Sequence, residues 1–132
     1  MNKNKLLYDL IYKFNTVILN MIKHINEYYN DSKMNSIELI LSDVINDTPK
    51  EPISIFLMYV YKNDSYRINI LNSNDSFFIN EEYDDLSEDT KKVITVFKFK
   101  HLWDKLDDRS KEYIKKSMVA LVKISQKYIL SL

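Results

Sequence analysis

Residues 3–29, KNKLLYDLIYKFNTVILNMIKHINEYY, decide the fold class. Leu7, Ile11, Phe14, Ile18, Met21, Ile25 and Tyr28 recur at alternating spacings of four and three. That is the period of one helix face, not of a strand. Leu6, Leu10, Val17, Ile22 and Tyr29 widen the stripe, and Lys13, Asn20 and Asn26 mark the polar side. The spacing predicts an amphipathic helix from Lys3 to about Tyr29. The stripe is wider than a bare coiled-coil seam, so an intramolecular core is the preferred destination. A homo-oligomer through this helix stays open.

Later segments supply matching faces. A second helix is expected over Lys33–Ile45, capped by Asp31 or Ser32, with Ile37, Ile40, Leu41 and Val44 inward. Pro49 and Pro52 interrupt the pattern. The third helix starts either after a Thr48 cap or at Pro52, with Ile53, Phe56, Leu57, Val60 and Tyr61 on one face. Asn63 and Asp64 can join two strands as a hairpin, but the apolar run Phe56–Val60 does not alternate. Asp64 is therefore read as the cap of a short helix through Leu71, and Asn72–Asp75 as a turn. Asn80–Asp89 reads as an acidic loop, followed by a helix that Ser87 caps and that reaches Trp103. Asp107 or Asp108 caps a last helix over Arg109–Ile129. Its inner stripe is Ile114, Met118, Leu121, Val122, Ser125 and Tyr128. These elements predict an all-α protein, a single compact domain over residues 1–132 with five to six helices and long helices at both ends.

Composition narrows the function. The 132 residues contain no glycine and no cysteine. Average glycine usage of about 7% would give roughly nine. Phosphate loops, dinucleotide fingerprints and nucleophile elbows all need glycine for positive φ or close backbone approach. Disulfides, thiol nucleophiles and cysteine-ligated zinc are excluded as well. Asn, Lys, Ile and Tyr are abundant, whereas Ala120 is the lone alanine and Arg67 and Arg109 the lone arginines. This skew reads as the product of an AT-rich genome. Asparagine is the next-best residue for left-handed turns, and Asn30, Asn46, Asn63 and Asn72 lie where helix ends are expected. No signal peptide and no membrane span are expected.

His24 and His101 are the only histidines, and both are read as surface residues. The acids Glu81, Glu82, Asp84, Asp85, Glu88 and Asp89 lack the ligand register of a calcium loop. No metal or cofactor is expected. Net charge is zero, yet residues 51–90 hold nine acids and two bases, and residues 91–132 hold eleven bases and four acids. Lys111, Lys115 and Lys116 form a candidate basic patch for phosphate. The near absence of arginine and the zero total weigh against nucleic acid, so a solvated face is the preferred reading. Aromatic residues make up 13% of the chain. Phe77, Phe78 and Trp103 are the candidate interaction anchors, although a small bundle also needs such side chains to fill its layers.

Three segments carry a resemblance. They are Pro52 to Phe56, Asp75 to Phe78, and Phe97 to Trp103 followed by the helix through Ser125. In this order they resemble small uncharacterised helical proteins of nucleocytoplasmic large DNA viruses. The resemblance covers roughly residues 50–125 and implies a viral, mainly helical protein, with no activity to carry over. Together these readings predict a non-enzymatic protein that binds another protein, inside the host cell or in the virion. The alternatives are a nucleic-acid-associated protein using the lysine-rich C-terminal third, and a Bcl-2-like bundle whose groove takes an amphipathic host helix.

Overall fold

A computed structural model describes residues 2–79, Phe97 and residues 100–132, with Lys100 and His101 described by their backbone alone. The expected acidic loop, its Ser87 cap and most of the helix leading to Trp103 lie outside the described residues. Among the described residues every regular element is helical. The elements are α1 (Lys3–Tyr28), α2 (Ser32–Asp47), α3 (Glu51–Phe56), α4 (Asp64–Leu71), α5 (Ser76–Ile79), α6 (Lys100–Trp103) and α7 (Asp108–Leu130). The architecture is the all-α compact bundle that the periodicity predicts.

α1 is the scaffold, packing along α7 on one side and α2 on the other. Its eight buried residues run from Leu10 to Ile25. Tyr28 departs from expectation and is 64% exposed. The helix ends there, because Tyr29 is extended at φ −133° and breaks the 3.6 period. α2 begins one residue earlier than expected, with the Asp31 carboxylate accepting from the Met34 N–H at 2.9 Å. Ile37 and Leu41 are buried as expected, but Ile40 is 38% exposed. Met34 takes its place in the core. Asn26, expected on the polar side of α1, ties the two helices together. Its amide donates to the Met34 carbonyl at 3.2 Å and to Glu38 Oε1 at 2.8 Å.

α3 starts at Glu51 with Pro52 in its first turn, where proline's missing N–H costs nothing. No side chain caps it. It runs on without a break as a π-helical turn over Leu57–Tyr61. The Lys62 N–H bonds back to the Leu57 carbonyl at 3.0 Å. Arg67 finishes this turn, donating to the Tyr61 carbonyl at 2.7 Å while its guanidinium lies 5.1 Å from the Tyr61 ring centroid. Residues 53–71 therefore form two helical stretches that meet at Lys62 and Asn63, not a hairpin. The cap of α4 is Asn63, one residue before the expected Asp64. Asp64 instead pairs with Arg67 at 2.6 Å.

Two aromatic groups fill the core. Phe14, Phe56 and Phe97 meet edge to face at centroid distances of 5.3, 5.0 and 6.3 Å. Tyr66, Phe77, Phe78 and Trp103 form a second chain, ending in a parallel Phe78–Trp103 stack at 4.0 Å. Such pairs contribute about 0.5–1.5 kcal/mol each beyond their area burial. α7 buries all six residues of its expected inner stripe. Among the described residues no helix is long and apolar enough to cross a membrane.

Candidate interaction groove

The predicted anchors are not at the surface. Phe77 is 0% exposed, and Phe78 and Trp103 are 1% exposed. This corrects their reading as interface anchors, because the stack between α5 and α6 consumes their faces. The predicted basic patch is also divided. Lys115 Nζ lies 2.5 Å from Asp75 Oδ1, with its side chain only 21% exposed. Lys111 Nζ sits 5.6 Å from the Trp103 ring centroid. Only Lys116 is fully on the surface, 3.5 Å from Glu112. Two of the three lysines thus hold α5 and α6 against α7. The Lys115 ammonium keeps the Asp75 carboxyl below its ordinary value.

His24 is likewise not a free surface residue. It is half-buried, with Nε2 2.9 Å from Ser110 Oγ and its ring stacked on Tyr113 at 4.6 Å. Tyr29 Oη accepts from the Asp107 N–H at 2.8 Å and reaches Ser110 Oγ at 3.5 Å. The Asp107 carboxylate accepts from the Ser110 N–H at 2.7 Å. That backbone bond holds the Asp107 carboxyl below its ordinary value. Serine, histidine and aspartate are therefore neighbours, but not in the order of a catalytic triad. There the carboxylate orients the imidazole; here it caps α7 through Ser110. Ser110 is only 2% exposed. The cluster pins the C-terminal end of α1 to the N-terminal end of α7. No metal-binding group of three or more His, Asp or Glu exists among the described residues.

Among the described residues, a surface feature with recognition character lies elsewhere. Two adjoining recesses of about 740 and 600 Å³ run beside α1, against the connection between α2 and α3. Both are lined by Tyr8, Ile11 and Pro49. Tyr128 of α7 closes one end, and Leu19 and Ile45 line the other. Asn15, 5% exposed, sets the far wall by donating its amide to the Pro49 carbonyl at 2.8 Å. Tyr8 and Tyr12 stand on the lip, 71% and 74% exposed. They lie four residues apart, about 6 Å along one helix face. The charges on the lining are Asp9, Lys50 and Glu51.

Neither tyrosine is among the residues that the sequence singles out for binding, although it carries a signal for both. Tyr8 and Tyr12 each follow a core residue, Leu7 and Ile11, and so turn about 100° off the buried stripe. Large aromatics displaced from the apolar face of a core helix are exposed by construction. The recess beside them was not legible, because it depends on where Pro49 comes to rest.

No protein family, curated protein or solved structure matches this chain.

Proposed function

We propose that this chain is a non-enzymatic helical protein that acts by binding another protein along the α1 groove. One observation carries the reading: two tyrosines, 71% and 74% exposed, overhang an open recess lined by Ile11 and Pro49. Tyrosine supplies a large, stiff contact area and a polar tip, and it is enriched where binding energy concentrates. From Asn4 to Leu19 the groove follows α1 for about 22 Å, the length of four helical turns. An amphipathic helix fits that dimension, which is also the occupant in the Bcl-2-like reading. The viral origin implied by the resemblance, and a place in the host cell or virion, belong to this same proposal.

Affinity capture from expressing cells tests it. Wild-type bait is expected to retain a protein partner that the double variant Tyr8→Ala/Tyr12→Ala loses, with unchanged helical circular dichroism. Recovery of nucleic acid in place of protein, or equal retention by the double variant, overturns the reading.

A further inference from the structure

The structure redistributes the C-terminal lysines. Lys111 and Lys115 turn toward Trp103 and Asp75. Four other cations, Arg109, Lys116, Lys123 and Lys127, all stand exposed on α7. The first three are spaced by seven residues and the fourth follows four later. Seven residues is nearly two turns, so the four fall on one line about 27 Å long, with about 10.5 Å between the first members. This line lies opposite the buried stripe of Ile114, Met118, Leu121 and Ser125. Lys123 and Lys127 make no ion pair among the described residues, and the line's own acid is Glu112, 3.5 Å from Lys116. Between the cations sit Val119 and Ala120, both half-buried, and the exposed Tyr113 and Leu130 flank the ends.

From this arrangement we infer that the outer face of α7 is a second docking surface, and that its occupant is an acidic amphipathic helix of another protein. This rests on the reading of the chain as a protein-binding module, but uses a different face. A partner helix carrying carboxylates at seven-residue intervals places one opposite each cation. The narrow waist at Val119 and Ala120 lets the two backbones approach, and Tyr113 and Leu130 give the partner's apolar residues something to cover. A polyphosphate uses only the charges. Three of the four cations are lysines, which act as point charges with no bidentate reading of bases. The chain's zero net charge offers a polyanion no long-range attraction.

The test is fluorescence anisotropy with the full chain and three labelled probes. One is a designed helix of about 18 residues, matching the stripe at 1.5 Å per residue, with Glu every seventh position and Ala or Leu beside it. The second is its scrambled isomer, and the third is duplex DNA of equal length. The designed helix is expected to bind, more weakly as salt rises. The double reversal Lys116→Glu/Lys123→Glu is expected to weaken binding on the order of tenfold, from a few-fold per exposed ion pair. A probe with Lys in place of Glu recovers affinity for the reversed protein. The Tyr8→Ala/Tyr12→Ala variant is expected to bind the designed helix like wild type, so failure at the groove and failure on α7 are read separately. Equal binding of the scrambled isomer, tighter binding of DNA, or indifference to the reversal overturns the inference.

Discussion

Ser73 is where the missing glycine is felt. It holds the only positive φ among the described residues, 56°. α4 closes there with two bonds: Ser73 N–H to the Ile70 carbonyl at 3.0 Å, and Asn74 N–H to the Asn69 carbonyl at 2.9 Å. That is the Schellman pattern, in which glycine is usual at the left-handed position. Asparagines are the residues expected at such turns, but Asn72 adopts φ −90° and the next residue takes the strain. A side chain with a Cβ in this region costs about 1–2 kcal/mol, partly offset by the extra freedom glycine brings to the unfolded chain. Ser73→Gly is therefore expected to stabilise the fold by roughly 0.5–1 kcal/mol. Urea denaturation checks this; a lower midpoint in the variant contradicts it.

At the scale of elements, α7 matters most, because three different devices attach it. Its inner stripe packs on α1 and α4. Its N-terminus is capped by Asp107 and tied to α1 through Tyr29, His24 and Ser110. Its middle holds α5 through Lys115 and Asp75. Leu121 lies at the centre of the stripe, fully buried. Leu121→Ala removes the packing contacts of three heavy atoms and leaves a cavity that the neighbouring helices fill only in part. The expected loss is about 2–5 kcal/mol, read from the denaturation midpoint. An unchanged midpoint contradicts a central role for α7. α3 behaves differently. It has no side-chain cap of its own, and its entry is held from outside by the Asn15 amide on the Pro49 carbonyl. One polar side chain of α1 thereby shapes the far wall of the candidate groove.

On the scale of the whole molecule, a net charge of zero conceals a divided distribution. Asp75 and Asp107 both have carboxyls held below their ordinary value of 3.8, the first by Lys115 and the second by Ser110. A group whose pKa is depressed on folding contributes stability that is complete above its unfolded value and is lost as pH falls through the folded one. Stability is therefore expected to be flat above pH 3.8 as far as these two groups are concerned, and to decline below it. Thermal midpoints across that range measure the effect. The variant Asp75→Asn should begin less stable and decline less steeply. A parallel decline in variant and wild type would show that the contact with Lys115 contributes nothing to the acid sensitivity.

Periodicity by itself determined the class of this protein. Leu10, Phe14, Ile18 and Ile25 in α1, and Ile114, Met118 and Leu121 in α7, are buried where a 3.6-residue repeat puts them. A helix places its side chains by local geometry, so the pattern survives without knowledge of neighbours. Most helix starts were legible for the same reason, since a cap bonds within three residues of itself. What spacing cannot carry is the meeting of distant segments. Phe77, Phe78 and Trp103 read as core more readily than as anchors, and the packing of α5 on α6 places them in the core. Lys111 and Lys115 look no different in sequence from Lys116. The arrival of Trp103 and Asp75 beside them, from elsewhere in the chain, turned two of the three inward. His24 found Ser110 across 86 residues. The groove depends on where Pro49 rests against α1, and the cationic line on which lysines stayed outside. Helix-forming information is local and repeats along the chain; surface chemistry is what remains after distant pairings have consumed the rest.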